Sequence, residues 1–317
     1  MYDYYFEITD ENCGLRVDKL LAVSCEGLSR SYIQKLIKDG KVLLNGQVCK
    51  ASTVTSEGDR VLLYAPEPVT PDILPQDIPL DILYEDGDVI VVNKPKGMVV
   101  HPAPGHYSDT LVNALLYHCS DLSGINGVLR PGIVHRIDRD TTGAIIACKN
   151  DRAHEKIAAQ LKEHSLDREY RAIVHGNIKE DKGTINAPIG RDRKDRKRMG
   201  IDYENGREAV TDYEVLERFG QYTYIKCILE TGRTHQIRVH MSHMKHPVLG
   251  DEVYSHISSP FKLTGQTLHA ATLGFTHPST GERILTRAPL PEYFERLLKS
   301  LRKGNCPVRR ANRTGSI

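Results

Sequence analysis

The apolar positions near the N-terminus first recur at helical spacing and then form two short runs. Residues three or four places apart lie on one face of an α-helix, so this spacing predicts two amphipathic helices. Ser29 or Ser31 suits the N-cap of the second helix, and Gly40 suits the position just beyond its end. The two runs that follow flank Asn45 and Gly46, a dipeptide typical of a β-hairpin turn. The apolar helical positions are Val17, Leu20, Leu21, Val23, Ile33, Leu36 and Ile37. We expect an αα-hairpin followed by a β-hairpin.

Prolines then interrupt the pattern at positions 66, 68, 71, 75 and 79. Proline fixes φ and removes a backbone donor, so neither a helix nor a central strand can continue through this segment. We therefore predict a stiff linker over residues 66–81. It would join an N-terminal domain of residues 1–65 to a second domain of residues 82–300, which a basic tail of residues 301–317 follows.

The second domain alternates strand-like and helix-like patterns. Apolar residues are continuous in VIVVN and alternate with polar ones in Tyr222–Leu229, which predicts strands. The segments SDTLVNALLYH and THQIRVHMSHMK look helical, with Ser108 or Asp109 as the N-cap of the first, and Asp151 suits the N-cap of another helix. Because no long βαβ series occurs, we expect an α+β fold with a mixed, mainly antiparallel sheet.

Charge is segregated along a chain whose formal net charge is only +2. The segment RDRKDRKR (191–198) and the tail from Arg302 onward are strongly basic, as suits binding to a polyanion, although a solvated loop is the simpler explanation. The longest apolar runs are strand-sized, far below the ~20 residues of a membrane span. The acidic, polar first residues and seven cysteines without CxxC spacing lead us to expect a cytoplasmic protein without a signal peptide.

The segment HRIDRDTTG (135–143) places two aspartates among arginines. A kinase catalytic loop would need asparagine where Gly143 stands, and arginines between Asp138 and Asp140 would repel the metal ion of a nuclease. We expect the two carboxylates on one face of a strand. A structural salt bridge between Arg136 and Asp138 is one explanation. The other is a functional aspartate, kept ionised by arginine, which suits attack on an electrophilic carbon or stabilisation of a developing cation.

Three histidines in HMSHMKH invite comparison with a zinc site. On a helix His240 and His243 would share a face, but His246 would lie well away from it. No carboxylate is placed as in the usual helical zinc motifs. We expect packing or RNA contact here, and no metal.

Several stretches together resemble a known family. RVDKLL with LSRSYIQKLIKDGKVLLNG resembles the small RNA-binding module named after ribosomal protein S-four. VVNKPKGMVVHP (91–102), HRIDRDTTG, EYRAIVHG (169–176) and LETGRTHQIRVH (229–240) resemble, in this order, the motifs of the RluA-type pseudouridine synthases. The similarity covers roughly residues 14–290 and is closest to members with an S-four module that act on large-subunit ribosomal RNA.

The resemblance implies an activity and the residues that carry it. Asp138 would be the catalytic residue, Tyr170 the active-site tyrosine and Arg238 the arginine that approaches the aspartate. Tyr170 would stack on a flipped uracil, and its hydroxyl could assist removal of the C5 proton. Arg136 would fill the space that the base leaves or hold a phosphate, while Lys94 and Arg233 receive no role. Whether the carboxylate attacks C1′, attacks C6 or assists a glycal path stays open, and no cofactor or metal is required.

RNA is the expected partner, with ribosomal RNA favoured and transfer RNA the alternative, and we expect a monomer that binds no membrane. A non-catalytic ribosome-assembly factor is the competing interpretation, whereas a methyltransferase would need a glycine-rich cofactor loop. Backbone contacts are expected from two cationic groups. These are Arg16, Lys19, Arg30, Lys35 and Lys38 of the N-terminal module, and Arg193, Lys194, Arg196, Lys197 and Arg198 of the basic loop.

Overall fold

The structure is a computed structural model that describes residues 4–25, 28–65, 73–102, 106–125, 127, 130–192, 195 and 198–304. The chain divides into two compact units, Met1–Thr70 and Pro71–Ile317. Most of the basic loop and tail that the sequence singles out lies outside the described residues.

The N-terminal unit is a four-stranded antiparallel sheet with two helices. Its elements are β1 (Tyr4–Glu7), α1 (Val17–Ser24), α2 (Arg30–Lys38), β2 (Val42–Leu44), β3 (Gln47–Val48) and β4 (Arg60–Leu63), and the strand order is β1-β4-β2-β3. The Ser29 side chain accepts a hydrogen bond from the Tyr32 N–H and so caps α2. Asn45 and Gly46, with φ of 52° and 78°, form the turn between β2 and β3. The expected helix pair and hairpin are confirmed.

The second unit is built on a nine-stranded sheet. The eleven described strands of this unit, nine of which form the large sheet, are β5 (Ile82–Glu85), β6 (Val89–Lys94), β7 (Thr142–Cys148), β8 (Asp167–His175), β9 (Lys182–Asn186), β10 (Ile189–Arg191), β11 (Met199–Ile201), β12 (Val210–Arg218), β13 (Tyr222–Leu229), β14 (Leu268–Thr276) and β15 (Arg283–Arg287). Its helices are α3 (Leu111–His118), α4 (Asp151–Lys162), α5 (Gln236–His243) and α6 (Glu292–Arg302).

The strand order of the large sheet is β5-β6-β7-β14-β8-β13-β12-β9, β15 pairs with β14, and β10 and β11 form a separate ribbon. Only β7 and β14 run parallel among the pairs of the described sheet, which confirms the mixed, mainly antiparallel α+β fold. No helix in the described ranges is long and apolar enough to cross a membrane.

Both faces of the large sheet are covered. Every residue of β7 is buried, with Ile145 facing one core and Ile146 the other. Helices α3 and α5 pack in the first core, whereas α4 and α6 contribute to cores on the opposite faces of β7 and β8. The alternation of β8 places Tyr170 in the first core, beside α5, and this face carries the site described below.

Two helix starts differ from the sequence-based expectation. Thr110, rather than Ser108 or Asp109, caps α3, because its extended backbone lets its side chain form a capping box with Asn113. Asp109 has a left-handed backbone, φ 58°, which is unlike an N-cap. Asn150 caps α4 and accepts from the Ala153 N–H, while Asp151 is already the first helical residue.

Candidate active site

One cavity of about 720 Å³ brings together Asp138, Tyr170, Arg238 and Arg136, the four site residues that the resemblance implies. Asp138 comes from the segment before β7, Tyr170 from β8 and Arg238 from α5. The cations of the lining are Arg130, Arg136, Lys162, Arg168, Arg207, Arg233 and Arg238. Among the described residues that line this cavity Asp138 is the only acidic one. Such a lining attracts a polyanion and leaves one carboxylate inside it.

The Asp138 carboxylate is bound by Arg238. The Arg238 Nη1 donates to Asp138 Oδ2 at 2.9 Å, and His235 Nε2 lies 3.7 Å from Oδ1. The Asp138 side chain is 17% exposed, so the carboxylate is reachable from the cavity. Its ion-pair partner is therefore Arg238 and not Arg136, which is exposed at the cavity wall.

The expectation that Asp138 and Asp140 share one face of a strand is wrong. Residues 134–138 have no regular structure, and the Thr141 N–H donates to the Asp138 carbonyl in a turn before β7 begins. Asp140 pairs with its exposed neighbour Arg139 at 3.0 Å. The turn thus separates the environments of the two carboxylates, and only Asp138 contacts Arg238.

Arg238 is itself held in place by Asp251. Arg238 Nε donates to Asp251 Oδ2 at 2.7 Å, and Nη2 donates to Oδ1 at 2.9 Å. Although burial favours the neutral guanidine, these hydrogen bonds and the charge of Asp138 raise the pKa of Arg238. The bidentate pair with Asp251 fixes the guanidinium group, so Asp138 receives a positioned donor.

Lys94 fixes the backbone beside Asp138. It is fully buried, and its Nζ donates to the carbonyl oxygens of Pro95, Met98 and Arg139 at 2.8, 2.9 and 2.9 Å. Burial lowers the pKa of Lys94 to about 7, against the attraction of the two nearby aspartates. The Gly97 N–H also donates to the Arg139 carbonyl. The end of β6 therefore holds the residue that follows Asp138.

His135 anchors the other end of the segment. Its Nε2 accepts a hydrogen bond from the Ile146 N–H on β7 at 3.1 Å. Burial, aided by the charge of Arg168, lowers the pKa of His135 to about 3, so the ring is neutral with its proton on Nδ1. With Lys94 on the far side, the loop that carries Asp138 is fixed at both ends.

Tyr170 presents a buried ring to the cavity, and its side chain packs with the core of the sheet. Burial, together with the charge of Asp138, raises the pKa of Tyr170 to about 12, although Arg168 opposes this rise. The hydroxyl is therefore protonated at neutral pH and makes a poor base for the C5 proton. The aromatic face is the part of Tyr170 that suits a base.

The predicted RNA-binding cations of the N-terminal unit are all exposed. Arg16 and Arg30 both bind the fully buried carboxylate of Asp18, each at 3.0 Å in its shortest contact, and Gln34 donates to it at 2.6 Å. About half of each arginine side chain is exposed, 47% and 51%, so both guanidinium groups are oriented without being covered. Lys19, Lys35 and Lys38 project from α1 and α2.

Of the predicted cations in the basic loop, Arg193, Lys194, Arg196 and Lys197 lie outside the described residues. Arg198 is half-buried, with its guanidinium 5.3 Å from the ring centre of Tyr254. The Tyr254 hydroxyl accepts from the Met199 N–H and contacts His235 Nδ1 at 2.8 Å. The base of this loop thus packs against the same tyrosine ring that lies over Arg238.

Two of the three histidines in HMSHMKH, His240 and His246, form polar contacts within the fold, whereas His243 is exposed. His240 is fully buried, with one ring nitrogen 2.9 Å from Thr211 Oγ1 and the other 2.9 Å from the Ala187 carbonyl. His246 Nδ1 lies 2.8 Å from the His175 carbonyl. These contacts leave His240 with no free nitrogen for a metal ion.

Another group of donors that could hold a metal ion comprises Glu85, His118 and Cys119, whose ligand atoms lie within 4.8 Å of one another. Lys149 Nζ lies 3.1 Å from Glu85 Oε1, and burial raises the pKa of the Cys119 thiol to about 11. The Lys149 ammonium group already pairs with the Glu85 carboxylate, which does not suit a cation site.

Asp251, Arg168 and His235 were missed by sequence reasoning. Asp251 pairs with a residue 13 positions away, and no local spacing marks it. Arg168 could have been found, because it precedes Tyr170 by two residues and residues i and i+2 of a strand face the same way. His235 has a left-handed backbone, φ 58°, which only the structure reveals.

Comparison with known proteins agrees with this arrangement. The family described as RNA pseudouridylate synthase matches residues 88–243, and the S4 domain matches residues 15–61. A Bacillus subtilis protein named as an uncharacterized RNA pseudouridine synthase, YlyB, is 52% identical over 93% of this chain and 97% of its own. The Zymomonas mobilis protein named ribosomal large subunit pseudouridine synthase D is 44% identical over 94% of this chain and 97% of its own.

A solved structure shares the fold. The human protein titled RNA Pseudouridylate Synthase Domain Containing 1 superposes with a TM-score of 0.55 and 26% identity, over 72% of this chain and 96% of that one. Sequence similarity, shared fold and the two matching domains lead to one conclusion. The chain belongs to the RNA pseudouridylate synthase family and is an RNA pseudouridine synthase with an N-terminal S4 domain.

Proposed function

We propose that this enzyme isomerises specific uridines of large-subunit ribosomal RNA, with Asp138 as its catalytic residue. The observation that carries the proposal is the position of Asp138, the single carboxylate among the described residues of a cationic cavity, bound to the fixed guanidinium of Arg238. The ribosomal substrate is supported by the name of the Zymomonas mobilis relative, to which the similarity extends over nearly the full length. Ribosomal RNA is cytoplasmic in bacteria, and we place the enzyme there as a monomer.

The reaction needs no oxidant, reductant or metal. The N1–C1′ bond of the uridine breaks, the uracil turns within the cavity, and C5 bonds to C1′. C5 then loses its proton and N1 ends protonated, so product and substrate are isomers. An anionic carboxylate can act on the nucleotide while its glycosidic bond is broken, provided that the base has left its stack.

Each neighbour of Asp138 then has a distinct task. Arg238, oriented by Asp251, aims the carboxylate at the nucleotide. The buried ring of Tyr170 stacks on the extruded uracil. Arg136, exposed at the cavity wall, occupies the gap left by the base or binds a neighbouring phosphate. The cations of the S4 domain contribute backbone contacts that weaken steeply with salt.

Tritium release provides the direct test, because the C5 hydrogen of the target uridine passes to water. Ribosomal large-subunit RNA made with 5-tritiated uridine should release tritium with the wild-type enzyme, and Asp138→Asn should abolish release. Asp140→Asn, the same change two residues on, serves as the matched control because Asp140 pairs with exposed Arg139. Activity of Asp138→Asn above a few per cent would remove Asp138 from the catalytic role. Release only from transfer RNA would keep the reaction and change the substrate.

A further inference from the structure

Arg168 is a second cation placed on the strand of Tyr170. Both residues belong to β8, are two positions apart and line the same cavity. Two strand positions span roughly 7 Å, so the guanidinium group follows the tyrosine ring along one wall.

The contacts of Arg168 leave part of its guanidinium group without a partner. Nη2 donates to the carbonyl oxygens of Leu229 and Glu230, at 3.4 and 2.8 Å, and the side chain is thereby held in place. Nε is buried without an acceptor, and the residue is only 6% exposed. Within the described part of the chain no carboxylate forms an ion pair with Arg168. A tie to two carbonyl groups would need only an uncharged donor, so the charge has no structural use here.

The free end of the guanidinium group lies at the cavity wall. A Cβ on Gly232 would come within 2.5 Å of Arg168 Nη1, and Gly232 lines the same cavity. Nη1 therefore lies where the Cβ of any other residue would be, so glycine at this position gives the guanidinium group its room. Arg233 is the next cation of this wall, and burial together with its charge lowers the pKa of Arg168.

A nearly buried cation that lacks a carboxylate partner is costly unless an anion arrives to pair with it. We propose that Arg168 binds a phosphodiester group of the RNA strand, the one next to the nucleotide whose base stacks on Tyr170. This inference rests on the proposed function and adds a substrate-binding residue to it. A phosphodiester carries one negative charge, which can pair with the guanidinium group through a charge-assisted hydrogen bond from Nη1.

Steady-state kinetics with chemically altered RNA test the proposal. The substrate is a short RNA that the wild-type enzyme modifies, together with versions in which one phosphate near the target uridine is replaced by a neutral methylphosphonate. Arg168→Gln should raise KM about tenfold with little change in kcat, as expected for loss of one charged hydrogen-bonded contact. One neutral phosphate should weaken wild-type binding by a similar factor and leave Arg168→Gln unaffected. For Arg168→Gln, the slope of log affinity against log salt concentration should be smaller in magnitude than that of the wild type by about 0.7.

Two further variants protect the test against a folding defect of Arg168→Gln. Gly232→Ala should displace Nη1 without removing a charge, and it should show the same insensitivity to the neutral phosphate. Arg168→Lys keeps the charge and should retain the salt slope. Arg296→Gln, which changes an exposed arginine of α6 that does not line the cavity, should behave as wild type.

The outcomes separate the two proposals. Suppose that the wild-type enzyme is active, and that Arg168→Gln and Gly232→Ala are as sensitive to each neutral phosphate as the wild type. That result would overturn the phosphate site alone. Absence of wild-type turnover on every RNA would contradict the proposed substrate or reaction. In that case the same methylphosphonate series in equilibrium binding would still decide whether Arg168 contacts a phosphate.

Discussion

Asp251 binds Arg238 through two hydrogen bonds of 2.7 and 2.9 Å, and the remaining nitrogen of Arg238 donates to Asp138 at 2.9 Å. One guanidinium group therefore joins a fully buried carboxylate to one that faces the cavity. Asp251 also accepts from the backbone N–H groups of Val253 and Tyr254. Asp251 thus fixes the orientation of Arg238 before any RNA binds.

Asp251→Asn should reduce kcat by about tenfold or more while changing KM little, because it leaves Arg238 free to turn away from Asp138. Breaking this buried charge pair should also lower the free energy of unfolding by about 3–5 kcal/mol. Single-turnover tritium release measures the rate, and thermal unfolding measures the stability. Asp167→Asn is the matched control, since Asp167 pairs with Arg283 on the exposed surface. A wild-type rate in Asp251→Asn would show that Arg238 does not need its hydrogen bonds to Asp251 for activity.

Lys94→Met should destabilise the loop that precedes β7. The methionine fills similar space but leaves three carbonyl oxygens without their shared donor, so we expect the free energy of unfolding to fall by about 3 kcal/mol or more. Activity should fall with it, because the Arg139 carbonyl lies next to Asp138. Denaturant unfolding compares this variant with Lys96→Met. Lys96 Nζ makes only two, longer carbonyl contacts of 3.3 Å each, so Lys96→Met should lower the free energy of unfolding less. Equal losses in both variants would contradict this role of Lys94.

Tyr170→Phe should keep kcat/KM within about tenfold of wild type, whereas Tyr170→Ala should lose the stacking contribution of about 1–3 kcal/mol. The reason is that the ring faces the cavity while the hydroxyl, with its pKa raised to about 12, stays protonated at neutral pH. Kinetics of both variants on one RNA decide the matter. If phenylalanine is as harmful as alanine, the hydroxyl and not the ring carries the function.

Asp18 should make the S4 domain sensitive to acid. Burial opposes ionisation, but hydrogen bonds from Gln34, Arg16 and Arg30 outweigh it and lower the pKa of Asp18 from 3.8 to about 2. The unfolded chain therefore takes up this proton first, so the stabilisation of about 2 kcal/mol is complete only above about pH 5 and is lost as the pH falls towards 2.

Hydrogen exchange of residues 17–38 in the full-length protein tests this behaviour. At pH 6, Asp18→Asn should exchange faster than wild type and bind RNA more weakly, because Arg16 and Arg30 lose their anchor; the difference in exchange should shrink towards pH 2.5. Asp39→Asn changes an exposed aspartate of the same domain and should match wild type. An exchange difference that is constant with pH would contradict the assignment to the Asp18 carboxylate.

Local features were predictable because neighbouring residues determine them. The α2 cap at Ser29 and the turn at Asn45 and Gly46 follow from side-chain chemistry within a few positions. The start of α3 was misplaced because the left-handed backbone of Asp109, which excludes it as a cap, is not encoded in residue type alone.

Long-range features depended on the family resemblance or were missed. The alternating aspartates in HRIDRDTTG resemble a strand, but tertiary hydrogen bonds from Lys94 and Gly97 hold the segment as a loop and turn. Arg238 was placed near Asp138, 100 positions away, only because the motifs resemble a family. Asp251 and the unpaired charge of Arg168 become visible only when the chain is folded.

The catalytic role of Asp138 is tested most directly by mapping pseudouridines in total RNA from cells in which this gene is deleted. The same map is made after the deleted gene is replaced by either the wild-type gene or the Asp138→Asn gene. Carbodiimide treatment marks each pseudouridine, and reverse transcription stops at the mark. We expect stops in large-subunit ribosomal RNA that vanish without the gene, return with the wild-type gene and stay absent with Asp138→Asn. Stops that Asp138→Asn restores as fully as the wild type would contradict that role.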